Sequence, residues 1–196
     1  MQVYLRRRQV FAQYGAMFMC WIRLSYCWVL MKVYLGLLCK VGTPRRVLKE
    51  LLDLNIPGGD IFLLFGPLDI LIKFEKVKSV EEYLQKWLSP ISMIGAGDEL
   101  IADTLTLIVG QESPPLTEVP YAVIFVNTKP PHFESVRRNV LVIPEVLSAD
   151  FVFGPYDIIC SVRAKDRVDL ERVLFSLQTN HPGIERTMTC IVKEVY

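Results

Sequence analysis

The chain has 196 residues, enough for one large or two small domains. Its 22 basic and 21 acidic residues give a formal net charge of +1, without the concentrated basic footprint that electrostatic binding of nucleic acid requires. Arg6, Arg7, Arg8 and Arg23 all fall in the first thirty residues, which hold no acidic residue, so the remainder is slightly acidic on balance.

Residues 1–30 form an extra segment. The apolar run Tyr14 to Ile22 after Arg6 to Arg8 suggests a membrane anchor, but Arg23 interrupts it and it falls short of the roughly 20 apolar residues of a spanning helix. No small-x-small cleavage site marks a secretory signal. The favoured expectation is a translation start at Met31; an anchor and a structured extra element are the alternatives.

The apolar run Val33 to Cys39 reads as a central strand, and Thr43 can cap a helix that has Pro44 at its first position and Val47, Leu48, Leu51 and Leu52 as its inner stripe. Ile61 to Phe65 and the alternating Ile70, Ile72 and Phe74 form a hairpin around Gly66-Pro67, which is turn chemistry. Ser79-x-x-Glu82 is a capping box ahead of Val80, Tyr83, Leu84, Trp87 and Leu88. A closing strand spans Thr104 to Val109, and the proline-bearing stretch Gly110 to Pro120 is a linker.

The same order then returns. Tyr121 to Val126 is a central strand, Phe133, Val136 and Val140 line a helix, and Ala149 to Phe153 leads into Gly154-Pro155 and the strand Ile158, Cys160, Val162. A helix starts near Asp166 with Leu170, Val173, Leu174 and Leu177 on one face, and Thr187 to Val192 closes the unit. Leu64-Phe-Gly-Pro-Leu-Asp-Ile70 and Val152-Phe-Gly-Pro-Tyr-Asp-Ile158 lie 88 residues apart, the closing strands 83, so the first copy holds a five-residue loop insertion near Ser92 to Asp98. The chain is a tandem duplication, and its period exceeds that of solenoid repeats. The predicted fold class is α+β: tandem ferredoxin-like βαββαβ units forming a dimeric α/β-barrel-like pseudo-dimer. The units span 31–110 and 119–196, with residues 111–118 as linker. Strands apolar on both faces predict that the sheets pack face to face, leaving edges for further association.

Catalytic and metal chemistry is sparse. His132 and His181 stand in turn contexts with no partner at ligand spacing, and Cys39, Cys160 and Cys190 read as buried hydrophobes in a reducing compartment. No catalytic residue, metal or cofactor is predicted. The repeated polar positions are Asp69 and Asp157 at the hairpins and Thr104, Thr106, Thr187 and Thr189 on the closing strands; from the residues alone, turn bonding and ordinary strand surface are the favoured account of them.

Phe153-Gly-Pro-Tyr-Asp157 and His181-Pro-Gly-Ile-Glu-Arg-Thr-Met-Thr-Cys-Ile-Val192 resemble the hairpin and the ending of the effector-binding (RAM) domain of the Lrp/AsnC regulators, and the resemblance extends over both units. The first unit departs, with Leu68 in place of the aromatic and Ile94-Gly-Ala-Gly-Asp-Glu99 in place of Pro-Gly. The resemblance implies a non-enzymatic cytoplasmic module that binds an amino acid, self-associates, and modulates transcription by assembly with helix-turn-helix relatives. Residues 1–30 are too short for a helix-turn-helix domain, so direct contact with nucleic acid is not expected. The implied effector site is Gly154, Tyr156, Asp157, Thr187 and Thr189, with Gly66, Asp69, Thr104 and Thr106 as its weaker first-unit counterpart. A monooxygenase-type α/β-barrel enzyme, a ligand-free scaffold and a membrane-tethered sensor are the competing readings.

Overall fold

The computed structural model describes residues 30–56, 61–180 and 182–196. The expectations for the segment before Leu30, and His181, lie outside the described residues. The first repeat contains β1 (Met31–Cys39), α1 (Pro44–Asp53), β2 (Ile61–Phe65), β3 (Ile70–Val77), a second helix α2 and β4 (Ile101–Gln111). Helix α2 is continuous through Val80–Tyr83, a π-turn at Leu84–Leu88, and Ser89–Ser92. The second repeat contains β5 (Ala122–Thr128), α3 (Phe133–Val140), β6 (Val146–Phe153), β7 (Ile158–Val162), α4 (Arg167–Asn180) and β8 (Ile184–Val195).

All eight strands join in one closed antiparallel barrel, in the order β1-β3-β2-β8-β5-β7-β6-β4. Each repeat supplies four of the eight strands. The repeats meet where Leu64 of β2 pairs with Val192 of β8, and where Val109 of β4 pairs with Val152 of β6. This corrects the expectation of free edges: the edge strands of one repeat satisfy those of the other, and closure removes the edge that would recruit further strands.

Strand alternation sends side chains to two environments. Outside the barrel, Val33, Leu35 and Leu37 pack with Val47, Leu51 and Tyr83 of the first-repeat helices. Ile124, Val126 and Cys160 pack likewise with Val136, Leu170 and Leu177. Inside, Tyr34, Phe62, Leu64, Leu71, Leu107, Phe125, Val152 and Ile159 fill the barrel from both repeats. The two sheets thus share one interior, as their two-faced apolarity predicts. Cys39, Cys160 and Cys190 are buried free thiols. Burial pushes the Cys160 thiol up to about 12, helped by Asp150 and opposed by Arg137.

Helix starts follow sequence chemistry with one correction. The Ser79 hydroxyl accepts from Glu82 N at 3.0 Å, and Asp166 Oδ1 accepts from Asp169 N at 2.9 Å. Thr43 makes no such cap: its hydroxyl donates to the carbonyls of Lys40 and Leu100 at 2.8 and 3.1 Å, tying the helix start to the approach to β4.

Candidate functional site

The residue three places after each hairpin glycine does the same mechanical work in both repeats. Asp69 N donates to Leu37 O at 3.0 Å, and Asp69 Oδ2 accepts from Cys39 N at 2.8 Å. Asp157 N donates to Val126 O at 3.0 Å, and Asp157 Oδ2 accepts from Thr128 N at 2.7 Å and from the Thr128 hydroxyl at 3.2 Å. Each hairpin is thereby laced to the end of its central strand. The other oxygen of each carboxylate has no protein partner among the described residues. Burial, with Asp69 adding to it, pushes the Cys39 thiol up to about 12.

The remaining predicted residues are distributed crosswise between the repeats. A Cβ on Gly66 would stand 2.9 Å from Thr189 O, and one on Gly154 would stand 2.9 Å from Thr106 O. Each hairpin turn therefore rests on the closing strand of the other repeat, an approach that only glycine permits. Thr187 and Thr189 pair with Val126 and Ile124, and share their helix-facing side of the sheet. Tyr156 instead joins the interior cluster, its ring centroid 5.4 Å from that of Phe125 and its hydroxyl donating to Met188 Sδ at 3.2 Å. Tyr156 and the threonines thus occupy opposite faces of β8. In the first repeat, the Thr106 hydroxyl lies 3.0 Å from that of Tyr83 on α2, and Thr104 is exposed.

A groove of about 420 Å³ opens beside the first hairpin, lined by Gly42, Pro44, Arg45, Leu63, Leu64, Phe65, Gly66, Asp69 and Lys193. It joins one carboxylate to two cations over an apolar floor. Lys193 Nζ sits 5.0 Å from the centroid of the exposed Phe65 ring, and Arg45 contacts Glu194 at 2.9 Å. Both are solvent-facing contacts that a ligand can rearrange at little cost.

The equivalent place in the second repeat is lined by aromatic rings. Phe151 and Phe153 stand where the first repeat has Leu63 and Phe65. The Phe133 and Phe151 centroids are 5.1 Å apart, as are those of Phe151 and Phe153. A Cβ on Gly110, the counterpart of Lys193, would meet the Phe153 ring at 2.6 Å. Arg45 and Lys193 carry no sequence signal of their own: each reads as a solvated surface charge, and 148 positions separate them. Among the described residues, no group of three or more His, Cys, Asp or Glu is placed to hold a metal ion, and no helix is long and apolar enough to cross a membrane.

Residues 121–196 match the family model described as the Lrp/AsnC ligand binding domain. Hypothetical protein PHS023 from Pyrococcus horikoshii is 30% identical, over 37% of this chain and 89% of its own, with a TM-score of 0.35. TTHA0845 from Thermus thermophilus is 27% identical, over 38% and 94%, with a TM-score of 0.37. The siroheme decarboxylase NirDL, solved with an iron-uroporphyrin III analogue, is 7% identical over 84% of this chain and 71% of its own; its TM-score of 0.61 is a likeness of fold. No curated protein sequence matches the chain.

Proposed function

Residues 121–196 belong to the Lrp/AsnC ligand binding domain family, and from that premise we propose that the chain is an effector-binding module whose ligand is an amino acid. The first repeat, in this reading, stands in for the second subunit, so that one chain forms a covalent pseudo-dimer. The observation that carries the ligand class is the groove beside the first hairpin. Asp69 offers an acceptor for an ammonium group, Arg45 and Lys193 offer donors for a carboxylate, and Leu63, Leu64 and Phe65 offer apolar surface for a side chain. In this reading the better site lies at the first hairpin and not the second, because the Phe133, Phe151 and Phe153 rings crowd the second.

The module acts without catalysis, in the cytoplasm, and modulates transcription by assembling with helix-turn-helix relatives. With barrel edges closed, assembly uses outer faces, where Val142, Val168 and Phe175 are exposed. A thermal-shift screen over the amino acids tests the ligand class: a specific ligand at 100 times its dissociation constant adds about 2.7 kcal/mol. A screen in which no amino acid raises the melting temperature contradicts it.

A further inference from the structure

The two junctions that close the barrel are chemically unlike. At the β4–β6 junction, Asp150 has no exposed surface. Its Oδ2 accepts from Lys32 Nζ at 2.6 Å and from the Tyr34 hydroxyl at 2.8 Å, and its Oδ1 accepts from Ser113 N at 2.6 Å. The Ser113 hydroxyl accepts from Ala149 N at 2.8 Å. The buried Arg137 donates to Ala149 O at 2.8 Å and to Glu112 O at 3.2 Å. The chain leaves the barrel here, and these side chains take over the hydrogen bonds that the ladder can no longer supply. Lys32 is only 13% exposed. Burial and the Asp150 carboxylate hold the Tyr34 hydroxyl well above its usual range, so it remains a donor.

At the β2–β8 junction the repeat places Phe62 where Asp150 stands, Tyr121 and Val123 where Lys32 and Tyr34 stand, and Tyr196 where Ser113 stands. Phe62 is buried opposite Val195, and the backbone ladder simply continues, with Tyr196 N to Ile61 O at 2.9 Å and Ile61 N to Tyr196 O at 3.2 Å.

We infer that barrel closure in this chain is heterotypic: the edge bearing Lys32 and Tyr34 selects the Asp150-bearing edge and rejects a copy of its own repeat. Two first repeats closed on each other would set Lys32 against Phe62 at both junctions, a buried ammonium without a carboxylate. Two second repeats would bury Asp150 against Tyr121 and Val123. The first strips the Lys32 ammonium of its carboxylate and the second strips Asp150 of its Lys32, Tyr34 and Ser113 donors, whereas the observed pairing satisfies both groups. The partner that fits each half-barrel is therefore the other half, from the same chain or by exchange with a second copy.

The test replaces residues 115–118 with a protease site, cuts the folded protein, unfolds it in urea, refolds it by dilution, and counts paired halves by native mass spectrometry. The expected result is heterotypic pairs in excess over homotypic ones by more than about tenfold, approaching a statistical mixture when Asp150→Leu, Lys32→Met and Tyr34→Phe are combined. A statistical mixture from the unsubstituted protein overturns the inference. The uncut chain gives an independent reading by urea denaturation. Asp150→Leu combined with Lys32→Met should lose less of the urea midpoint than the two single losses together, and additive losses overturn the inference.

Discussion

Replacing Asp157 by alanine removes the acceptor for both Thr128 N and the Thr128 hydroxyl, bonds of 2.7 and 3.2 Å at the end of a buried strand. A hydrogen bond to a charged group is worth about 1.5–3 kcal/mol, and the stranded amide adds its own desolvation penalty. For a chain of this size, about 1.5–3 kcal/mol corresponds to a fall in melting temperature of roughly 3–12 °C. Asp69→Ala should fall at the lower end, because Asp69 Oδ2 holds the single Cys39 amide at 2.8 Å. The assay is urea denaturation followed by tyrosine and tryptophan fluorescence, with ligand titration of each folded variant. Asp69→Ala should lose effector binding as well as stability, while Asp157→Ala should lose stability alone. An Asp157→Ala protein as stable as the parent would refute the lacing role, and one that binds ligand more weakly while Asp69→Ala binds normally would return the site to the second hairpin.

Leu107→Ala, which empties a fully buried position inside the barrel, should cost about 2–5 kcal/mol by chemical denaturation. Gly154→Val should destabilise by about 1–3 kcal/mol, because its Cβ would meet Thr106 O at 2.9 Å; unchanged stability would show that the turn can move off β4. The protein should lose stability in alkali: the unfolded chain releases the Cys160 proton near pH 9, whereas the folded chain holds it until about 12, so unfolding free energy falls as pH rises through that window. Cys160→Ala should flatten that decline in a pH series of urea melts, and native Cys160 should resist alkylation at pH 8.

The repeats, the hairpins and the order of elements were legible because each rests on local chemistry: alternation in Ile70, Ile72 and Phe74, the Gly-Pro turns, and the Ser79 cap. A barrel-like pairing of the units was legible too, but the pairing of their edges was not. Apolar patterning tells which face of a strand is buried, but it does not tell which edge of β2 or β4 finds a partner. Thr43 was misjudged for a related reason, since the competing acceptor, Leu100 O, lies 57 residues away. Asp150 was hidden inside a strand-like run and emerges only when Phe62 is set beside it. The groove depended on which side of the fold holds space: aligned hairpins gave both repeats the same aspartate, and only packing brings the Phe133, Phe151 and Phe153 rings together beside one of them.

Isothermal titration of the amino acid identified by thermal shift, into the parent protein and into Arg45→Gln, tests the central claim most directly. Arg45 is largely exposed, with 74% of its side chain accessible, so its loss leaves the fold intact. One site per chain in the parent, weakened more than about tenfold in Arg45→Gln, is the result expected from loss of a charged hydrogen bond to the ligand carboxylate. Equal affinity in the two proteins would contradict the assignment of the groove as the effector site.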